Sequence, residues 1–490
     1  MKKSVTKNYL YNMIYQVLIS IVPLITTPYL SRTLGAEAIG IYSYTLSVVT
    51  YFILFGSLGI AIYAQREIAY VQNDEEKRSK VFWEILILRL FTMIISMSLF
   101  FFTCIKNTGY GIYYKIFLIQ MIANCIDISW FFQGLEEFKK TVLRNAIVKI
   151  ISVILILILI KKPEDLKLYI LIYCISTFIG NLSLWIYIPR YISKIEFRSL
   201  KFKRHIKPIL GLFIPQVAVQ VYTVLDKTMI GMIVGDKSEV GYYEQAEKIV
   251  KLLLTVITSL GTVMLPRIAY EFANNNKEKI KETMEKSINF VLILAFPMMV
   301  GLIIIAPRFI PIFLGKGFEP SIKIMQLLSP IVLFIGLGGI IGSQYLLPTK
   351  RQKQYTTAVI VGAITNVLFN LVLIKKIGAD GAAIATIFAE LACTLIQLYF
   401  VKNEFDLKQI IRKSGKYLFF SIIMMIGCTG VGLLNINDIY ILIIQIAFGI
   451  LIYCTMLGVS KDELFKESIL KIKRRKNWKE YWKKCIYYRI

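Results

Sequence analysis

The sequence predicts an all-α polytopic membrane protein with about fourteen transmembrane helices. Three observations predict it. The 490 residues are 56% hydrophobic, with a mean hydropathy of +0.62, a value soluble domains rarely approach. Apolar runs recur along the whole chain, and roughly 20 apolar residues cross a hydrocarbon core about 30 Å thick. Short charged segments separate the runs, with Lys and Arg gathered in alternate ones.

The first run, 9–31, is too long for the apolar part of a signal peptide and lacks a small-residue cleavage site. It reads as a retained span. The turn LGAEAIG leads into the second, 39–65, and further runs lie at 81–104, 112–134, 143–160 and 167–189. A basic segment, PRYISKIEFRSLKFKRHIKP (189–208), then interrupts the series. Runs resume at 208–234, 242–270, 288–314, 323–348, 355–374 and 382–401, and end with 415–434 and 438–459. An even number of spans puts both termini on one side. The basic 189–208 segment and the basic tail from Lys461 onward fall on that side, which the positive-inside rule makes cytoplasmic. The tail, KESILKIKRRKNWKEYWKKCIYYRI, interleaves aromatics with cations, as suits anionic lipid headgroups; docking of a partner is the other reading.

The net charge of +27 would suit nucleic acid in a soluble protein, but here cytoplasmic loops account for it. The seven cysteines are scattered without metal-ligand spacing, and the only histidine, His205, falls in the basic loop. No nucleotide-binding G-x-x-x-x-G-K-[ST] occurs. No metal, cofactor, ATPase or other enzymatic activity is expected.

The chain also repeats itself weakly. LGAEAIGIYSY (34–44) follows the first span and VGDKSEVGYYEQ (234–245) the seventh. FQGLEEFKK (132–140) ends the fourth and SQYLLPTKRQK (343–353) the tenth, while LILIKK (157–162) and LVLIKK (371–376) close the fifth and eleventh. Each pair is six spans apart, so the two halves share one orientation. The expected division is a six-helix lobe over 1–190, a cytoplasmic basic linker over 191–207, a second six-helix lobe over 208–402, two additional spans over 415–459 and a basic tail over 460–490. Two bundles facing each other leave a central cavity.

Charges within the spans are the candidate functional residues. A charge at a span centre costs roughly 2.5–3.5 kcal/mol, so it faces a cavity or another polar group. Arg89, Asp127, Lys149, Asp226, Lys227, Glu244, Lys248, Lys251 and Glu390 qualify. Gln216, Gln220, Thr223 and Lys227 share one helical face, as do Glu244, Lys248 and Lys251. Gln120, Asn124 and Asp127 form a third stripe, and Asn12 with Gln16 a short fourth. Asp226 and Lys227 point about 100° apart, so each needs its own partner; Lys248 is the expected cation for Asp226. Glu84 and Arg144 lie near span ends and read as interfacial anchors. Isolated Glu390 takes no role. A purely structural reading, in which buried pairs fix helix register, stays open for all of these. Arg89, Lys149, Lys227, Lys248 and Lys251 outnumber Asp127, Asp226 and Glu244, which suits an anionic substrate such as a phosphate or diphosphate.

PYLSRTLGAEAIGIYSY (28–44), DISWFFQGLEEFKK (127–140), YTVLDKTMIG (222–231), GYYEQAEKIVKL (241–252) and IGADGAAIATIFAE (377–390) resemble the Wzx-type oligosaccharide flippases. These belong to the superfamily of multidrug, oligosaccharidyl-lipid and polysaccharide exporters. The resemblance runs from about residue 5 to about residue 460. It implies two six-helix lobes plus two helices, working by alternating access with suspected ion coupling. It implies a substrate, the undecaprenyl-diphosphate-linked oligosaccharide repeat unit, carried across the bacterial cytoplasmic membrane for capsule, O-antigen or related polymers. Polysaccharide polymerase and glycosyltransferases are the implied protein partners. It places Asp226 and Lys227 in one shared motif and Asp127, Trp130, Gln133 and Gly134 in another. The expected substrate-binding cations are Arg89, Lys149, Lys227, Lys248 and Lys251, with Gln216 and Gln220; Asp127, Asp226 and Glu244 are the expected ion-coupling or lumen acids. A lipid II flippase or multidrug antiporter of the same fold, and a membrane scaffold for assembly enzymes, are the alternatives.

Overall fold

The computed structural model describes residues 5–106 and 109–467, and every regular element among them is helical. A helix satisfies each backbone N–H and C=O within its own segment, as a chain in lipid requires. The tail beyond 467, and the side chains of Asn12 and Gln16, lie outside the described residues.

Helix α1 (Val5–Ser57) bends at Gly35, whose φ of 76° marks the turn between the first two spans. Positive φ at Leu58 and Gly59 ends α1, and α2 (Ile60–Tyr70) completes the second span. Asp74 caps α3 (Glu75–Phe100) by accepting the Lys77 N–H at 3.0 Å, with Glu75 and Glu76 at the dipole's positive end. α3 continues as a wide π turn through Ile105. The fourth span is two helices, α4 (Gly111–Cys125) and α5 (Ser129–Gly134), broken at Asp127. The fifth and sixth are α6 (Phe138–Leu159) and α7 (Leu166–Ser183).

Helices α8 (Lys203–Ile233), α9 (Lys237–Ala273) and α10 (Lys277–Leu314) follow. The tenth span is α11 (Pro320–Leu328) and α12 (Ile331–Gly338), with Pro330 at the joint. α13 (Gln352–Val401) bends at Ile377 and Gly378 into two spans, and α14 (Leu407–Val431) and α15 (Asp438–Val459) close the series. Ten stretches among the described residues are long and apolar enough to cross a membrane. Two of them, Ile21–Tyr70 and Gln352–Val401, contain a bend and two expected spans each. With α8 and α9, every expected span has its helical segment. Outward ridges fit lipid contact: Leu143, Ile147, Ile150, Ile154 and Ile158 lie exposed along one face of α6.

The chain forms two compact units that cut it at points other than the repeat: 1–245 with 313–321 and 366–385, and 246–312 with 322–365 and 386–490. In the first, α1 packs on α3, α6 and α8, α4 on α7, and α2 on α5. One core cluster gathers Phe82, Trp130, Phe131 and Phe132 with Ile60 and Ile68. The WFFQG motif therefore serves packing: a Cβ on Gly134 would lie 2.7 Å from the Gln65 carbonyl oxygen. In the second unit α14 packs on α15, and Arg308 ties α10 to them through Asp438 at 3.1 Å and the Gly432 carbonyl at 2.7 Å.

Candidate functional site

The first unit holds most of the expected site residues. On α8, Asp226 is 5% exposed. Its Oδ2 accepts from the Tyr243 hydroxyl at 2.6 Å. Its Oδ1 accepts from Asn370 Nδ2 at 2.6 Å and Asn366 Nδ2 at 3.0 Å, and Asn370 also donates to Asn366 Oδ1 at 3.0 Å. The two asparagines stand one turn apart on α13 and are fully buried. The spacing argument expected a cation such as Lys248 beside Asp226. Three neutral side chains also donate to the carboxylate, because α13 packs an amide pair where α8 presents its acid. Polar pairs such as TNVLFN were legible in the sequence but carry no formal charge.

Lys227, on the next face of α8, pairs with Glu244 of α9. This settles the opposed directions of the Asp226–Lys227 pair: each has its own partner on a different side. One residue after Lys227, Thr228 Oγ1 meets Ser47 Oγ at 2.8 Å, joining α8 to α1. Gln216 and Gln220 are half-buried on the stripe leading to Lys227, and Gln216 lies against Gly59 so closely that a Cβ there would come 2.9 Å from its amide.

Arg89 is 3% exposed. Its Nη1 donates to the Asp127 carbonyl at 3.0 Å, and Nη2 stands 3.8 Å from the Asp127 carboxylate. Arg89 Nε is buried without a hydrogen-bond partner among the described residues. Asp127 is occupied locally as well: its Oδ1 accepts the Ser129 N–H at 2.9 Å and hydroxyl at 2.5 Å, which starts α5. Lys149 lies exposed on α6, one position from the apolar ridge at Ile150. Lys248 and Lys251 belong to the second unit, where Lys251 pairs with Glu247 at 2.6 Å.

The two expected anchors, Glu84 and Arg144, both bond within the protein. Glu84 is 1% exposed. It accepts from the Lys201 N–H at 2.6 Å, from Arg204 at 2.5 and 3.0 Å, and meets His205 Nε2 at 2.7 Å. His205, expected in a loop, sits in the first turn of α8, with its Nδ1 2.7 Å from the Tyr63 hydroxyl. The basic run folds back onto α3, which hydropathy along one strand of sequence does not reveal. Arg144 is also engaged internally, donating to Asn181 Oδ1 at 2.6 Å and Ser129 Oγ at 3.0 Å.

The turns after the first, seventh, ninth and eleventh spans meet in this unit. A Cβ on Gly40 would fall 1.6 Å from the Lys237 carbonyl oxygen, and one on Gly241 would fall 2.1 Å from the Ala36 carbonyl oxygen. Only glycine lets α1 and α9 approach so closely. The two repeated motifs thus pack on each other. Glu239 accepts the Ala379 N–H at 2.8 Å, Ser321 donates to the Tyr242 carbonyl at 3.1 Å, and the Lys237 ammonium donates to the Gly231 carbonyl at 2.5 Å. Burial lowers the pKa of Lys237 from the ordinary lysine value. Backbone contact therefore joins the turns at that end of the unit.

Residues 5–272, more than half of the chain, match the family model described as polysaccharide biosynthesis protein. The chain belongs to this family. Residues 212–372 also match the MatE family model. An Escherichia coli (strain K12) protein of this kind, named "Putative O-antigen transporter", is 24% identical over 82% of this chain and 98% of its own length. The Shigella dysenteriae protein of the same name is 27% identical over 78% and 96%. Among solved structures, lipid II flippase MurJ in an inward closed conformation superposes with a TM-score of 0.72 at 20% identity, covering 93% of this chain and 99% of that one. An inward-facing multidrug resistance MATE transporter of the MOP superfamily gives 0.61 at 14% identity, covering 83% and 96%. These likenesses agree with the Wzx-type resemblance. This family member is a multi-pass, all-α membrane protein with the flippase fold.

Proposed function

We propose that this chain flips undecaprenyl-diphosphate-linked oligosaccharide repeat units from the inner to the outer leaflet of the bacterial cytoplasmic membrane, for O-antigen, capsule or a related surface polymer. The observation that carries the reading is that Arg89 and Lys227 are held within the spans of the first unit, beside the carboxylates of Asp127 and Glu244. Lipid excludes such cations, and a diphosphate is the ligand whose charge and oxygens they match. The relatives named for O-antigen transport, aligned over nearly their full length, support it.

In this reading Arg89 and Lys227, with Gln216 and Gln220, hold the diphosphate and first sugars, and the polyprenyl tail stays in lipid. The lobes 1–190 and 208–402 alternate in opening to either side, with 191–207 as their joint. Both termini are cytoplasmic. Asp226 is the ion-coupling acid, with Asp127 and Glu244 as the other candidate acids. Buried Asn370 Oδ1 has no hydrogen-bond partner among the described residues. An amide can present oxygen as well as N–H, so the Asp226 cradle accommodates a proton or a small cation. Polymerase and glycosyltransferases are proposed partners at the membrane.

The test is the lipid pool of a deletion strain arrested in surface polymer assembly. Undecaprenyl-diphosphate oligosaccharide accumulating on the cytoplasmic side, and cleared by this gene, is the expected result, and mass spectrometry names the head group. A peptidoglycan precursor in its place would transfer the function to lipid II flipping, and an unchanged pool would remove the flippase reading.

A further inference from the structure

A cavity of about 450 Å³ opens in the second unit where α9 turns into α10 and α12 leads to α13. Its floor is apolar and aromatic, with Phe272, Ile280 and Phe405, and its rim carries Lys277 and Lys281. A third cation, Arg351, is spent within the protein. It donates to Glu404 at 2.5 Å and to the Phe400 carbonyl at 2.8 Å, and Tyr345 donates its hydroxyl to the same Glu404. That part of the wall is therefore locally neutral.

The lysines of α10 divide by direction. Lys279 and Lys286 both pair with Glu282, each at 2.7 Å. Lys277 and Lys281, which line the cavity, are exposed and make no ion pair among the described residues. They stand four residues apart on one face, where like charges repel. A bound anion between them removes that repulsion. An apolar floor below two ammonium groups matches an amphiphile whose phosphate lies at the rim and whose carbon chain lies inward.

We propose that this cavity binds a phosphate-bearing lipid head group. The substrate chemistry is a phosphodiester or diphosphate attached to an apolar chain, and its source is either an acidic phospholipid of the bilayer or the isoprenoid diphosphate itself. The proposal does not depend on the flippase reading.

The test is thermal unfolding of the purified full-length chain in detergent, with added phosphatidylglycerol, phosphatidylcholine or inorganic pyrophosphate. Phosphatidylglycerol is expected to raise the Tm by about 2–4 °C. The K277Q/K281Q variant should lose that shift, while K279Q/K286Q keeps it. All four lysines are at the surface, so folding is preserved. A shift that needs phosphatidylglycerol assigns the site to the bilayer; one produced by pyrophosphate alone and lost in K277Q/K281Q assigns it to a diphosphate head. Equal shifts in wild type and K277Q/K281Q, or an equal effect of phosphatidylcholine, overturn the proposal. Binding is read without transport, so failure here leaves the flippase reading standing.

Discussion

Glu84 and Asp226 are both acids nearly closed off from solvent, and they are held in opposite ways. Glu84 meets Arg204, His205 and the Lys201 N–H, all supplied by the basic run ahead of α8. Asp226 is cradled by Tyr243, Asn366 and Asn370. The first is a fixed ion whose charge staples α3 to the linker. The second accepts hydrogen bonds from a hydroxyl and two amides. Under the proposed function the first is structural and the second works in ion coupling, and the chemistry of the donors carries that distinction.

Four measurements break or sharpen this contrast. Replacing Glu84 with Ala leaves His205 buried beside an empty site. About 3 kcal/mol of stability should go, toward the lower end for a broken buried pair because Arg204 is half exposed; a Tm equal to wild type would refute the staple. Asp226→Asn preserves shape and removes charge. Flipping should fall about tenfold or more, equivalent to about 1.4 kcal/mol of barrier, with Tm nearly unchanged. Wild-type flipping in this variant would make the cradle structural and collapse the distinction.

The Lys227–Glu244 pair lies between the two cases. Lys227→Ala and Glu244→Gln should each destabilise, and the double variant should recover about 1 kcal/mol of the summed loss. Strict additivity in denaturation would show that the pair does not couple. The smallest effect concerns Asp462, beyond the last span. Burial raises its pKa, but hydrogen bonds from Lys416 and Tyr417 outweigh that and leave it below the ordinary aspartate value. A depressed acid adds stability that is present above the unfolded value, about 3.9, and lost as pH falls through the folded value. Hydrogen exchange near the start of α14 and end of α15 should therefore quicken only in strong acid; a rate unchanged across that range would exclude this contribution.

Much of this was legible in the residues. The fourteen runs appear as helical segments, and the kinks fall at Gly35 and Gly378, within motifs that also carry the family resemblance. The separate partners of Asp226 and Lys227 follow from adjacent positions on one helix. The glycines of LGAEAIG and VGDKSEVG were visible as a repeat, though not as mutual contacts. Other features stayed hidden. Asn366 and Asn370 look like minor interruptions of an apolar run until α13 is laid against α8. The partners of Glu84 stay hidden until the 201–205 segment returns to it.

The sequence by itself determined the class of the protein, the number and order of its spans and the positions at which charge enters them. Those follow from hydropathy and helical periodicity, which act along one chain segment at a time. Only the tertiary structure decided which partners hold each buried acid, and that the glycines of the two repeated turns meet. Partner choice depends on side chains distant in sequence, such as Asp226 and Asn370, and on the direction each helix presents to its neighbour. No periodicity within a single span contains that information.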